Sequence, residues 1–328
     1  MFILCACALT THASGAPRDR ESAKISVLIA TGMPGGTYYH LGLAMASLWT
    51  THLRAEGIRV SAAVSEGSIE NLEAIRIADA DLVLVEQLFC SMAYNGTDQY
   101  RGRPLTELRS ITAVWPDTVH LVVRTDRIKT GTVSDLNGLV LATGLTDSGN
   151  RFTTQLLLDT LKSAKHNVKV RSMSNMAAAE ALRNGTVQAI DLTGGMPIPL
   201  VTTLFAERRV PVGFLEITDS QLEAVRQEGW KHVFRSVIPV GTYPGQTRAV
   251  NSAGQANVLA TTSALDEYVV YALTKTLYEN LDSLSKVHPA CRNMALEKAF
   301  DGVEVPLHPG AIRFYREKKI KIPDNLIP

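Results

Sequence analysis

The feature that most constrains the fold of this chain is a unit of alternating strands and helices that occurs twice. Apolar runs typical of strands alternate with segments whose apolar residues recur at three- and four-residue spacing, as in helices. Each copy is therefore predicted to run strand, glycine-rich turn, helix, strand, turn, helix, strand, over about 24–86 and again over 139–194. The sequences Glu-Ala-Ile-Arg at 73–76 and Glu-Ala-Leu-Arg at 180–183 occupy the same place in the two copies.

This repeat predicts an α/β fold with two lobes. Strands that alternate with helices form parallel sheets with helices on both faces. Right-handed crossovers place the turns that follow these strands at one edge of each sheet, and open α/β sheets bind ligands at that edge. Two such lobes facing each other enclose a cleft that is lined by turns from both copies.

The length of 328 residues suggests about two domains. We expect a discontinuous first lobe, made of residues 17–114 and 248–328, and a second lobe made of residues 115–247. Arg248–Thr262 has the character of a long extended segment, suited to returning the chain to the first lobe. Two crossings between the lobes make a hinge, which allows the lobes to close around a ligand.

Residues 1–16 resemble a secretory signal. An apolar run over 2–9 precedes small residues, as in the apolar core and cleavage region of such signals, although a charged start is missing. A lipoprotein cleavage box at 4–7, and a tail without a targeting role, are the alternatives. No later apolar run reaches 18 residues, so we expect no stable membrane insertion after processing.

Charge and motif content argue against several function classes. The formal net charge of +1 is spread without long runs of one sign, which gives no reason to expect nucleic acid as a partner. No two of the eight histidines stand at metal-ligand spacing, and no Gly-x-Ser-x-Gly elbow or Walker loop occurs. We therefore expect no catalysis, no cofactor and no metal. Beyond the signal-like segment the cysteines are Cys90 and Cys291, and whether they pair is open.

Three glycine-rich turns are suited to holding an anion. They span residues 31–37, 65–68 and 146–150, and each precedes a predicted helix. Glycine lets a ligand approach the backbone N–H groups, and the start of a helix offers unpaired N–H groups and a partial positive charge. Together these features bind carboxylate or phosphate, and the predicted topology brings all three turns to the cleft.

Four side chains beside these turns refine the prediction. Arg151 lies in the first turn of a predicted helix, where a cation opposes the helix dipole, so we interpret it as a partner for a ligand carboxylate. Tyr38 follows the first turn and could wall the cleft. Glu66 and Glu86 end two segments of the first copy. If both face the cleft they favour a ligand with an amino group, or a counter-cation; the alternative is that they are capped or solvated.

Several short motifs occur together along the chain. They are Thr-Gly at 31–32 with Gly-Gly-Thr-Tyr-Tyr at 35–39, Gly-Ser-Ile-Glu-Asn-Leu at 67–72, Asp-Leu-Val-Leu-Val at 81–85, Ala-Tyr-Asn-Gly-Thr at 93–97, Ser-Gly at 148–149 with Arg151, and Pro-Leu-His-Pro-Gly-Ala at 306–311. In this combination the sequence resembles the TAXI-type solute-binding receptors of tripartite ATP-independent periplasmic (TRAP) transporters, over nearly the whole predicted mature chain.

The resemblance implies a periplasmic-binding-protein type II fold with a hinged cleft. It implies a periplasmic receptor that delivers a small anionic solute to a sodium-coupled TRAP permease, with glutamate, glutamine and related dicarboxylates as the ligands suggested for the family. Together with the turns, it leads to these predicted ligand-binding residues: Thr31, Gly35, Gly36, Thr37, Tyr38, Glu66, Ser68, Glu86, Gln87, Ser148, Gly149, Arg151, Thr193 and Gly194.

The sequence departs from the family pattern at two expected ligand positions. It has Ser-Glu-Gly-Ser at 65–68 where relatives often carry Thr-Gly-Gly-Ser, and Glu-Gln-Leu at 86–88 where they often carry Gln-Ser-Asp. An acid lost at Leu88 and acids gained at Glu66 and Glu86 indicate a relocated contact to an amino group. A periplasmic sensor that uses the same fold, and an enzyme built on it, are the alternative functions.

Overall fold

The computed structural model describes residues 25–160, 167–207, 209–228, 230 and 232–328. Within these residues the strands form two sheets, each packed with helices, so the predicted two-lobed α/β architecture is confirmed. The signal-like segment 1–16 lies outside the described residues, as does Lys24 at the start of the first predicted strand.

The first sheet is built from the strands of the first copy and two later strands. These strands are β1 (Ile25–Ala30), β2 (Ile58–Ala63), β3 (Leu82–Glu86), β4 (Leu108–Ala113) and β12 (Asn257–Thr262). They lie in the order β2-β1-β3-β12-β4. The central strand β3 is buried along its whole length, which explains its uninterrupted Leu-Val-Leu-Val run.

The second sheet is built around the second copy. Its strands are β5 (Asp117–Arg124), β6 (Val140–Thr143), β7 (Lys169–Ser172), β8 (Ala189–Gly194), β9 (Val212–Phe214), β10 (Phe234–Ile238) and β11 (Val250–Gln255). They lie in the order β10-β11-β5-β8-β6-β7, and β9 pairs with β5 beside this path.

The expectation of purely parallel sheets is correct only for the repeated units. β1 pairs parallel with β2 and β3, and β6 pairs parallel with β7 and β8. Outside the two copies, β12 runs antiparallel to β3 and β4, and β5 runs antiparallel to β8, β9 and β11. Both sheets are therefore mixed, because the segments that carry the chain between the lobes enter each sheet against the direction of the repeated strands.

Helices connect the strands and cover the sheets. The first copy contains α1 (Thr37–His52) and α2 (Ser68–Arg76), followed by α3 (Gln87–Asn95); the second contains α4 (Gly149–Thr160) and α5 (Asn175–Arg183), followed by α6 (Pro199–Glu207). The later helices are α7 (Asp219–Gln227), α8 (Glu267–Glu279), α9 (Leu281–Val287) and α10 (Pro309–Glu317). None of the helices in the described residues has both the length and the hydropathy needed to span a bilayer.

The chain crosses between the two sheets at two places. Residues 114–116 connect β4 of the first sheet to β5 of the second. Ala256 separates β11 in the second sheet from β12 in the first, so the predicted extended segment Arg248–Thr262 contains two successive strands, one for each sheet. This pairing favours a lobe boundary near Ala256, and the division at 114 and 248 stays a prediction.

Buried side-chain hydrogen bonds align the strand ends of the first sheet. The side-chain amide of Asn71 on α2 donates to the carbonyl oxygens of Thr31 (2.8 Å) and Leu84 (2.7 Å). The hydroxyl of Thr31 donates to the carbonyl oxygen of Ala63 at 2.7 Å. Because a buried carbonyl without a partner is costly, these bonds hold the ends of β1, β2 and β3 together. The turns after these strands therefore open at one edge.

The two cysteines beyond the signal-like segment are buried free thiols. Cys90 lies on α3, and Cys291 lies in a short 3₁₀ helix that follows α9. Burial raises the pKa of both thiols, that of Cys291 to about 12, so both stay protonated near neutral pH. The disulfide that the sequence left open does not form.

Candidate functional site

A small hollow lies where the turns of the two lobes meet. Its volume is about 60 Å³, which is the liquid volume of roughly two water molecules. Gly36 from the first copy and Gly149 from the second copy both line it, as expected from the repeat. The lining residues are Gly32, Met33, Gly36, Thr37, Tyr38, Glu66, Gly67, Ser68, Glu86, Asp117, Ser148, Gly149, Asn150, Asn175, Thr193 and Gly194.

Helix α1 begins at the hollow. Gly36 precedes its first residue and no side chain caps it, so the N–H groups of the first turn are left without an intrahelical acceptor. The hydroxyl of Thr37 donates a hydrogen bond to the carbonyl oxygen of Gly195 at 2.8 Å. Because Gly195 follows β8 of the second sheet, this bond joins the two lobes at the hollow.

Helices α2 and α4 begin on opposite lobes and meet across the hollow. Gly67 precedes α2 with a φ of 127°, which favours glycine, and no side chain caps α2. Asp147, just before α4, accepts from the N–H of Glu70 at 3.1 Å and donates its own N–H to Oε2 of Glu66 at 3.0 Å. These bonds show that the two lobes are closed onto each other.

Gly149 allows α4 to approach the first lobe closely. A Cβ at this position would lie 2.8 Å from Cε2 of Phe89 and 2.9 Å from Oε2 of Glu86, closer than Cβ atoms approach other atoms in proteins. Only glycine therefore lets the start of α4 meet the end of β3 while the lobes are closed.

Glu86 ends β3 and is the first of two buried acids on the hollow. Its side chain is 4% exposed, and Oε2 has no hydrogen-bond partner among the described residues. Burial raises the pKa of this carboxyl well above its usual range, and the nearby carboxylates of Asp117 and Asp191 raise it further. A cationic group placed beside Glu86 would stabilise its ionised form.

Asp117 begins β5 at the first crossing and is the second buried acid. It is 3% exposed, and within the described part of the chain its Oδ1 lacks a partner. Burial raises its pKa to about 7, whereas the nearby side chains of Asn257 and Trp115 lower this pKa. Asn257 accepts from the hydroxyl of Tyr38 at 2.6 Å and donates to the carbonyl oxygen of Trp115 at 3.0 Å. Tyr38 is thereby held against both crossings.

A third acid, Asp191 on β8, is buried near the hollow without lining it. The hydroxyl of Thr154 donates to its carboxylate, and the side-chain amide of Asn150 donates to its backbone carbonyl at 2.9 Å. Burial raises the pKa of Asp191 to about 7, against the opposing effect of Thr154 and Thr193. In the described ranges, no group of three or more His, Cys, Asp or Glu side chains is arranged to hold a metal ion.

The charge of the lining side chains is negative. Glu66, Glu86 and Asp117 are acidic, and none of the described lining residues is Lys, Arg or His. Positive potential comes instead from the starts of the helices. The hollow can therefore hold a negative group on backbone N–H groups and a positive group beside the buried acids.

Most of the predicted ligand-binding residues line the hollow. They are Gly36, Thr37, Tyr38, Glu66, Ser68, Glu86, Ser148, Gly149, Thr193 and Gly194. The structure brings them together because each lies at the end of a repeated strand, in the turn that follows it or at the start of the next helix. Their role in binding stays a prediction.

Two predicted residues in the first turn lie off the hollow. Thr31 is engaged within the first sheet through its hydrogen bonds to Ala63 and Asn71. Gly35 has a φ of 86° and lies against the side chains of Leu200 and Met176 from the second lobe. Both residues therefore shape the turn and the closure of the lobes.

Two further predicted residues also lie away from the hollow. Gln87 follows Glu86 but lines a different cavity, next to the two crossings. Arg151 donates its backbone N–H to Oγ of Ser148 at 3.2 Å, and it is not among the residues that line the hollow. The structure thus does not place the guanidinium where we expected the ligand carboxylate.

Six lining residues are absent from the predicted ligand-binding set. Gly32, Met33, Gly67 and Asn150 lie within the predicted glycine-rich turns, whereas Asp117 and Asn175 lie outside them. Asn175 begins α5 at the position that corresponds to Ser68 at the start of α2, so the repeat could have identified it. Asp117 carries no such signal, because it lies outside both copies and reaches the hollow only through the pairing of β5 with β8.

Fold and site together define a two-lobed α/β protein with an interlobe cleft. The chain belongs to the NMT1-like family, whose model matches residues 29–318. In fold it is similar to MatC from Rhodopseudomonas palustris with bound malate, at 15% identity and a TM-score of 0.54, over 81% of this chain and 88% of that one.

Two more solved structures share the fold. One is a protein from Bordetella bronchiseptica, at 19% identity and a TM-score of 0.50, over 93% of this chain and 91% of that one. The other is an ancestral arginine-binding protein bound to arginine, at 12% identity and a TM-score of 0.50, over 82% of this chain and 98% of that one.

Proposed function

We propose that this protein is a solute receptor that closes its two lobes over a small amino acid. The observation that carries the proposal is that uncapped helix starts and unpaired buried acids face one small hollow between the lobes. N–H groups at the starts of α1, α2 and α4 bind the ligand carboxylate. Glu86 and Asp117 bind its ammonium group, because both carboxyls are buried and lack a full set of partners.

The lining acids favour an amino acid over a dicarboxylate. MatC is described with bound malate and the ancestral protein with bound arginine, so the fold itself accommodates carboxylates with and without amino groups. A ligand without a cationic group would leave both carboxyls protonated, as their raised pKa values favour, and would gain no ion pair with them. This charge balance supports glutamate or glutamine rather than succinate or malate among the ligands that the sequence resemblance suggests.

The volume of the hollow means that an amino acid enters a wider cleft than this one. About 60 Å³ is the liquid volume of roughly two water molecules, less than glycine or any larger amino acid occupies. Binding therefore requires the lobes to part further than they do here. The hinge supplied by the two crossings allows such an opening.

We also propose that the receptor acts in the periplasm, after removal of the signal-like segment 1–16, and delivers its solute to a TRAP permease. The support is the resemblance carried by the motifs at 31–39, 67–72, 148–151 and 306–311. Uptake of the identified amino acid into vesicles that contain the permease should require added receptor. Uptake that proceeds equally without the receptor would contradict this partnership.

The binding proposal is tested by a thermal-shift screen at neutral pH. The panel contains glycine, L-alanine, L-glutamine, L-glutamate, succinate and L-malate. A ligand at one hundred times its Kd adds about 2.7 kcal/mol to the free energy of unfolding, so we expect at least one amino acid to raise the Tm by a few degrees. Succinate and malate should leave the Tm unchanged. A dicarboxylate that stabilises the protein as much as the best amino acid would refute the assignment of the two acids.

A further inference from the structure

A second cavity lies next to the two crossings, and the interlobe hollow does not account for it. Its volume is about 340 Å³, within the range of small-molecule sites in proteins, about 300–1,000 Å³. The two cavities share no lining residue. We call this second space the hinge cavity and define it by Gln87, Val114, Pro116, Phe234, Ala256 and Asn293, with His232, Lys298, Asp301 and Gly302 completing its lining.

Adjacent residues in the chain line the two cavities. Glu86 and Asp117 line the interlobe hollow, whereas Gln87 and Pro116 line the hinge cavity. Ala256, which separates the last two strands, also lines the hinge cavity. A molecule in this cavity would therefore contact both segments that connect the lobes.

Gln87 gives the hinge cavity an unused pair of polar atoms. It is 1% exposed, and neither its amide nitrogen nor its amide oxygen has a hydrogen-bond partner among the residues that the structure describes. Its backbone N–H donates to the carbonyl oxygen of Ala256 at 2.9 Å. A primary amide presents a donor and an acceptor side by side, so its complement is another carboxamide or a lactam.

The rest of the lining is apolar and carries balanced charge. Val114, Pro116 and Phe234 supply apolar surface, and Phe234 is 36% exposed at the cavity. Lys298 and Asp301 have opposite charges, so these lining residues do not select a charged ligand. Flat apolar groups pack well against an aromatic ring and a proline.

We propose that the hinge cavity is a second binding site, whose ligand is a flat apolar molecule that bears a carboxamide or a lactam. The amide of Gln87 pairs with the polar end of this ligand, and its ring packs against Phe234 and Pro116. This site is separate from the amino acid hollow, so it stands whether or not the proposed function is correct. Because the ligand contacts both crossings, it also changes the freedom of the lobes to move.

The probe for this site is benzamide, with toluene as the matched compound that keeps the ring but lacks the amide. ¹H–¹⁵N spectra of the labelled protein, recorded during a titration to millimolar benzamide, should show saturable shifts at the backbone amides of Gln87, Val114 and Ala256. Toluene should bind several-fold more weakly, because it forms no hydrogen bonds with Gln87. Shifts confined to Gly36 and Gly149 of the interlobe hollow would overturn the proposal.

Two variants with matched controls sharpen this test. Phe234→Ala should weaken benzamide binding several-fold, whereas Val237→Ala, on the same strand and 39% exposed but off the cavity, should not. Gln87→Leu should weaken it about tenfold, whereas Gln255→Leu, also buried but off the cavity, should not. Equal affinities for Phe234→Ala and Val237→Ala, or non-saturable shifts in the parent protein, would refute the site.

Discussion

The two copies of the repeated unit build the two sides of the hollow from different side chains on a common scaffold. In the first copy β3 ends in Glu86, and Glu66 precedes α2; in the second copy β8 ends near Thr193, and Asn175 begins α5. Both copies contribute a glycine and a helix start to the hollow. The scaffold therefore supplies backbone N–H groups on both sides, whereas the second copy contributes no acid to the lining of the hollow.

In this fold the backbone and the side chains of the hollow have separate roles. A repeated turn and helix start can bind a carboxylate without any charged side chain, because the N–H groups belong to the backbone. Selection for an ammonium group then needs only a few acids, which a single copy can contribute together with Asp117 from the first crossing. The comparison of the two copies is therefore open to direct experimental test.

The largest expected effect comes from Glu86→Gln compared with Thr193→Val. A hydrogen bond to a charged group contributes about 1.5–3 kcal/mol, so Glu86→Gln should weaken amino acid binding about 10- to 150-fold. Thr193→Val removes a neutral hydroxyl at the matching strand end and should weaken amino acid binding by less than about tenfold. Isothermal titration calorimetry gives both values. Equal losses in the two variants would show that the copies do not differ in the way proposed.

The next effect compares Gly149→Ala with Gly36→Ala. The new Cβ at 149 would collide with Phe89 and Glu86 of the opposite lobe, so the lobes would be held apart and binding should fall more than about tenfold. At Gly36 the nearest atoms are Nδ2 of Asn175 and the carbonyl oxygen of Met33, both 3.3 Å away, and the Asn175 side chain can move. Gly36→Ala should therefore weaken amino acid binding less than Gly149→Ala does. Affinities measured together with X-ray scattering of the liganded protein would reveal whether closure is lost.

The sequence predicted the scaffold of the hollow better than its charge. The turns at 31–37, 65–68 and 146–150 follow from strand and helix periodicity, and parallel topology brings them together. Arg151 and Gln87 lie off the hollow, and spacing alone does not reveal the direction of a side chain at a helix start. Asp117 was missed because it reaches the hollow through antiparallel pairing of a crossing strand, which no local pattern reveals.

The pH dependence of amino acid affinity tests whether Asp117 contacts the ligand. Burial raises its pKa to about 7, and an ammonium group favours its ionised form, so affinity should rise as pH increases from 5 to 8. The free energy of unfolding without added ligand changes in the opposite direction: the raised pKa contributes stability that is complete below about pH 4 and is lost as pH rises through about 7. Calorimetry across this range should show a flatter affinity profile for Asp117→Asn.

Asp191→Asn is the matched control for this pH experiment. The pKa of Asp191 is also about 7, but its side chain does not line the hollow. Its substitution should therefore flatten the pH dependence of unfolding more than that of binding. An affinity profile that is unchanged by Asp117→Asn would remove this acid from the ligand contacts.

The smallest effect is expected for Arg151→Ala. Because Arg151 does not line the hollow, its substitution should change amino acid affinity by less than about twofold, as is usual for charges away from a site. Calorimetry is again the measurement. Complete loss of binding would show that the guanidinium of Arg151 binds the ligand carboxylate, as the sequence suggested. The second copy would then also contribute a charged side chain to the ligand.

The most direct measurement is a crystal structure of the protein with the amino acid identified by the thermal-shift screen. We expect the ligand between the lobes, with its ammonium nitrogen about 3 Å from carboxylate oxygens of Glu86 and Asp117. Its carboxylate should accept hydrogen bonds from N–H groups at the starts of α1 and α4. A ligand in the opposite orientation, or one bound to a single lobe, would contradict the account.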